Sequence, residues 1–146
     1  MKKIIGAAIL VSLFFSVTIA QTDTVAFYKK TTVMIPMRDG VKLFTAILSP
    51  VNAKQSSPIL IQRTPYGADI PVKNDSAFSV NFMGSYTSMA KEGYIFVFQD
   101  IRGKYKSEGT MQIHQPLIHA KQKGAVDEST DTYDAVDWLI KNVPAN

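Results

Sequence analysis

Apolar residues run almost unbroken through positions 4–20, with only Ser12, Ser16 and Thr18 interrupting them, behind the short basic head Met1-Lys2-Lys3. Thr18 and Ala20 place small residues at the two positions a signal peptidase reads, so residues 1–20 are expected to be a secretory signal cleaved before Gln21. The alternative is a retained anchor, but the run is at the lower limit for spanning a bilayer and no basic stop follows it directly. Export to the periplasm or the medium, without stable membrane association after cleavage, is the expectation.

Residues 21–146 form one unit in which the hydrophobic period changes along the chain. Two β-prone runs, 31–37 and 41–48, flank Arg38-Asp39-Gly40 and predict a hairpin, because glycine accepts the positive φ of a tight turn. Residues 49–57 read as a loop. Pro-Ile-Leu-Ile-Gln at 58–62 predicts a short strand buried on both faces, ended by Arg63-Thr64-Pro65-Tyr66-Gly67. Residues 68–76 are polar and loop-like. Phe78, Phe82, Tyr86, Met89 and Ala90 then recur at helical spacing, with Gly93 as the stop, and predict a helix over 78–90. A second fully buried strand is predicted at 94–99, closed by Asp100-Ile101-Arg102-Gly103. No period governs 104–126. Ser129, Thr130 or Asp131 can cap a last helix in which Tyr133, Val136, Leu139, Ile140 and Val143 share one face. Hairpin, strand, helix, strand, loop, helix predicts an α/β sheet with crossover connections, incomplete within this chain.

Composition narrows the chemistry. With 46% hydrophobic and 19% charged residues in 146, neither disorder nor a fibrous repeat fits. The absence of cysteine excludes disulfides, a thiolate zinc site, an iron–sulfur cluster and a cysteine nucleophile. Lys2 and Lys3 account for two of the 16 basic residues, and 12 acidic residues offset the rest, so no nucleic-acid partner is implied. His114 and His119 lie in the aperiodic stretch without further ligands beside them and read as loop histidines, so neither metal nor cofactor is expected.

In open α/β sheets, function gathers at the carboxyl ends of the strands, here 63–67 and 100–109. Asp100 and Arg102 beside a glycine turn read as an internal ion pair holding a loop rather than as catalytic groups, and Arg63 is read in the same way. Ser107 has the trailing glycine of a nucleophile elbow but Tyr105 where the first glycine belongs, and no helix pattern follows it. Ser85 falls inside the predicted helix. Both serines are read as structural or surface residues. On turn chemistry alone, Tyr66 is an aromatic covering a strand end.

Met37-Arg38-Asp39-Gly40-Val41, Arg63-Thr64-Pro65-Tyr66-Gly67, Gln99-Asp100-Ile101-Arg102-Gly103 with Ser107-Glu108-Gly109, and the helix from Asp131 to Val143 follow one another in this order. The ordered set resembles the serine hydrolase family of X-prolyl dipeptidyl peptidases, cocaine esterase-like enzymes and α-amino acid ester hydrolases, which includes cephalosporin and glutaryl acylases. The resemblance implies the N-terminal portion of an α/β-hydrolase domain acting on a small ester, amide or short peptide. It also implies that Tyr66 gives its phenol hydroxyl to the oxyanion hole, a role suited to a group that stays protonated at neutral pH. The Ser, Asp and His of the triad are expected beyond Asn146, which leaves this chain alone incompetent. The long 110–130 segment resembles the α-amino acid ester hydrolase-like members. The alternative is a non-catalytic exported α/β binding module.

Overall fold

The Arg38-Asp39-Gly40 turn closes the predicted hairpin. In the computed structural model, which describes residues 27–53, 56–111 and 125–144, β1 (Phe27–Pro36) pairs antiparallel with β2 (Lys42–Pro50). The Gly40 amide donates to the Met37 carbonyl at 2.9 Å with φ at +87°, the left-handed geometry that glycine takes cheaply. β1 begins four residues before the predicted run, where Tyr28 and Lys30 point inward. Residues 1–26, which contain the expected leader, and 112–124, which contain His114 and His119, lie outside the described residues. Among the described residues no helix is long and apolar enough to cross a membrane.

Five strands form one mixed sheet in the order β3-β5-β2-β1-β4, with β3 (Ile59–Thr64), β4 (Ala77–Ser79) and β5 (Ile95–Asp100) completing the set. β5 runs parallel to β3 and antiparallel to β2, so the hairpin turn and the carboxyl ends of β3 and β5 gather at one edge. The α/β expectation holds, with the sheet partial in this chain. β5 is buried at every position but Phe98, which is half-buried, close to what its apolar run predicts. β3 differs: it is only half-buried, because it sits at the sheet edge with β5 as its neighbour.

The period-two alternation of the strands divides the core. On one face Ile35, Leu43, Ile47, Ile95 and Val97 pack against Ala135 and Leu139 of α2 (Glu128–Asn142) and Val143, which caps it. On the other face Tyr28, Leu48 and Phe96 meet Val80 and Met83 of a short 3-10 helix, Val80–Tyr86, and Ala90 of α1 (Thr87–Lys91). The Tyr28 hydroxyl donates to the carbonyls of Ala90 at 3.0 Å and Tyr94 at 2.6 Å, satisfying backbone at the end of α1. Burial pushes the pKa of this phenol up to about 12.

Two helical expectations need correction. The helix predicted over 78–90 is instead a strand paired with β1, the 3-10 helix and a five-residue α1. Gly84, at φ +54° and ψ −120°, breaks the helical path, and Phe78 finds its partner across the sheet from Tyr28. Gly93 is the stop that was expected: its amide donates to Ala90 and that of Tyr94 to Met89, a paired C-terminal closure. In α2 the cap is Asp127, not Ser129, Thr130 or Asp131. Asp127 and Thr130 satisfy each other's amides in a reciprocal box, which leaves Asp131 free to face the sheet.

The buried face of α2 keeps Leu139 and Val143 of the predicted one and loses the rest. Ala135, Leu139 and Val143 are buried, whereas Tyr133 is 68% and Ile140 61% exposed. Ion pairs set this rotation. Asp131 accepts two bonds from Arg102, and Asp134 accepts a fork from Arg38 on the hairpin turn. Arg102 also holds Asp39, at 2.7 Å.

The Arg102 guanidinium hydrogen-bonded to Asp39, and that of Arg38 to Asp134, hold both carboxyls below their ordinary range. A carboxyl whose folded pKa is depressed binds fewer protons folded than unfolded, so its stabilisation is complete above the ordinary value of about 3.9. It is lost as pH falls through the lowered folded value. Asp39→Asn is therefore expected to lower stability at neutral pH and to flatten its decline below about pH 4. Denaturant titrations across that range, wild type against variant, check this; parallel curves would contradict it.

Candidate active site

Strand alternation sends neighbouring residues at the end of β5 to opposite layers. Gln99 faces α2, where its side chain accepts from Arg63 Nε at 2.9 Å and donates to Thr45 at 3.0 Å, a polar ladder across β3, β5 and β2. Arg63 also donates to the Thr132 hydroxyl and the Glu128 carbonyl of α2, while its Nη2 is buried without a hydrogen bond and lies 3.9 Å from Asp131. Desolvation lowers the pKa of this arginine. Its work is to tie the helix to the sheet.

Asp100 faces the other layer and is 1% exposed. Its carboxylate accepts the Ala68 amide at 2.6 Å and the Lys106 amide at 3.2 Å, so one charge holds the loops that follow β3 and β5. This corrects the expected Asp100–Arg102 pair: the two side chains leave the strand end in different directions and take different partners. Arg102 is a structural cation as expected, although it serves Asp39 and Asp131. Ser107 accepts the Phe44 amide at 2.8 Å and donates to the Asp100 carbonyl at 2.7 Å, so both sides of its hydroxyl are engaged. Ser85 lies exposed in the 3-10 helix rather than in an α-helix.

Tyr66 sits between these ties. The Thr64 hydroxyl accepts its backbone amide at 3.1 Å, and the Ala68 amide two residues on is bound to Asp100. Asp69 then accepts from Lys30, at 2.8 Å, and from Lys106, and these ammonium hydrogen bonds hold its carboxyl below the usual range. The backbone around Tyr66 is thus fixed while its side chain is 83% exposed, with no hydrogen bond from the hydroxyl to the described residues. The arrangement presents a phenol donor at the carboxyl end of the parallel pair β3 and β5. Sequence reading missed Lys30, Asp69 and Lys106, for which a single chain carries little signal beyond the inward place of Lys30 in the alternation of β1. Among the described residues no group of three or more His, Asp or Glu side chains is placed to hold a metal ion.

A mixed sheet with helices on both faces, and its turns gathered where parallel strands end, fits part of an α/β-hydrolase sheet. The comparisons agree. Residues 39–146 match the model of the X-Pro dipeptidyl-peptidase (S15) family, and the chain belongs to that family. It is 33% identical over 109 residues to cocaine esterase from Rhodococcus sp. (strain MB1 Bresler), covering 75% of this chain and 16% of that protein. It is also similar to two solved structures, each covering 82% of this chain and 20% of the other. One is an aminopeptidase from the marine sediment archaeon Thaumarchaeota archaeon, at 41% identity and a TM-score of 0.65. The other is a selenomethionine-labelled α-amino acid ester hydrolase, at 42% and 0.66. The chain therefore spans about a fifth of the length of these relatives.

Asp100→Asn leaves one acceptor oxygen and turns an amide donor toward one of the two loop amides. A buried donor left unsatisfied costs about 1–3 kcal/mol. Denaturant midpoints are expected to fall accordingly. An unchanged midpoint would mean that the loops do not depend on this carboxylate.

Proposed function

We propose that the whole protein is an exported serine hydrolase that cleaves esters or amides whose acyl part carries a free α-amino group. A Ser-His-Asp triad outside this chain attacks the carbonyl, and Tyr66 donates its hydroxyl hydrogen to the oxygen that becomes negative. The amide following the nucleophile supplies the second donor. The observation that carries this reading is the division at Tyr66: its backbone is anchored on both sides while its hydroxyl makes no hydrogen bond among the described residues. Preorganised donors of this kind act where charge develops and need no reorganisation during the reaction.

The substrate class draws support from two relatives whose names specify an aminopeptidase and an α-amino acid ester hydrolase, at 41% and 42% identity, against 33% for the cocaine esterase. The long 110–130 segment points the same way.

Tyr66→Phe removes the donor and keeps the ring. Turnover of an activated α-amino acyl ester by the whole enzyme is expected to fall about 10²–10³-fold, or about 2.7–4 kcal/mol, as for other lost oxyanion donors. KM should move little, because the ground-state carbonyl carries less charge than the transition state. A folded variant with near-normal kcat would return Tyr66 to a covering role at the strand end.

A further inference from the structure

Tyr105 is the residue at these strand ends that the proposed reaction leaves without a task. Its φ is +46°, in the left-handed region that bulky side chains rarely occupy, yet its side chain is 68% exposed. Burial of its own ring does not account for so strained a backbone. The ring lies instead against the turn that carries Tyr66: a methyl carbon built on Gly67 would stand 3.3 Å from Tyr105 Cε1 and 3.4 Å from Cδ1. Gly67 is itself left-handed, at φ +98°. Two left-handed residues, one from each loop, thus meet, with the Tyr105 ring against the side of Gly67 where a side chain would stand.

The next residue in each loop locks the meeting in place. Ala68 and Lys106 donate their amides to the two oxygens of Asp100, and the Lys106 ammonium pairs with Asp69. The conformation at Tyr105 is therefore held by ties on its neighbour, and its ring forms a wall along the Tyr66-Gly67 turn.

We propose that Tyr105 is a positioning residue for Tyr66. Its ring, seated on Gly67, fixes the peptide between residues 66 and 67 and so the direction in which the Tyr66 side chain leaves the turn. Tyr105 itself does not touch the reacting atoms. This inference rests on the oxyanion role of Tyr66.

Tyr105→Gly in the whole enzyme removes the ring and relieves the backbone together, since glycine takes φ +46° without steric cost. A merely structural role for the residue then forecasts retained stability and retained turnover. Positioning forecasts a kcat lower by about 10- to 10²-fold, as when a reacting group is displaced by about 1 Å, with KM within about 2-fold. Tyr105→Phe, which keeps the ring, is expected to recover most of that loss. Tyr105→Asn, which tolerates the left-handed conformation but lacks the ring, is expected to lose turnover as the glycine variant does, and it serves should the glycine variant not fold.

The double variant with Tyr66→Phe decides how the effect is transmitted. With the hydroxyl gone there is nothing left to aim, so Tyr105→Gly should cost no further turnover. Losses that multiply, or a raised KM with kcat retained, would place Tyr105 in direct contact with substrate and overturn the inference. Normal kcat in Tyr105→Gly and Tyr105→Asn would overturn it as well. If Tyr66→Phe alone loses turnover while the ring-less variants keep it, only the positioning role fails. If Tyr66→Phe keeps normal turnover, the oxyanion reading fails and takes the positioning role with it.

Discussion

The buried carboxylate of Asp100 is the constraint around which the strand ends are arranged. A carboxylate that is 1% exposed has given up nearly all its water, and that loss is tolerable only when donors inside the protein replace it. The donors here are two backbone amides, from Ala68 and Lys106, and they belong to loops far apart in sequence. Satisfying the charge therefore requires both loops to close over the end of β5. Once they do, Lys106 reaches Asp69, Asp69 reaches Lys30, and Ser107 bridges the Asp100 carbonyl to β2.

The opposite layer is organised by cations. Arg102 joins the hairpin turn at Asp39 to α2 at Asp131, and Arg63 joins β3 to the first turn of the same helix. Because Gln99 and Asp100 are consecutive in an extended strand, one dipeptide serves both systems, the polar ladder under α2 and the loop closure on the other side.

Much of the fold was legible because it rests on local rules. The Asp-Gly turn, the apolar run of β5, the stop at Gly93 and the existence of α2 each follow from backbone preference or from a short period. What could not be read depends on partners distant in sequence. Phe78 and Tyr86 have helical spacing, yet Phe78 pairs across from Tyr28 in a strand, a contact that no local pattern contains. The rotation of α2 is set by Arg38 and Arg102, so Ala135 faces the sheet and the larger Tyr133 and Ile140 do not. Asp100 and Arg102 are near neighbours in sequence and look like a pair, but β5 ends at Asp100 and the turn that follows parts them. At the site, the turn places Tyr66 at the strand end but carries no sign of a donor role, which only the family resemblance suggests, and the lock of Lys30, Asp69 and Lys106 has almost no local signal.

That difference bears on how such a site can work. A hydrogen-bond donor that is to meet developing charge must be unspent before the reaction and must not wander while waiting for it. These demands conflict in a turn, where backbone and side chain compete for the same few partners. The structure separates them by residue. Thr64 takes the Tyr66 amide and Asp100 takes that of Ala68, so the rigidity of the turn comes from side chains other than that of Tyr66. The phenol makes no hydrogen bond among the described residues, while the loop that carries it supplies the Ala68 amide to the buried charge of Asp100.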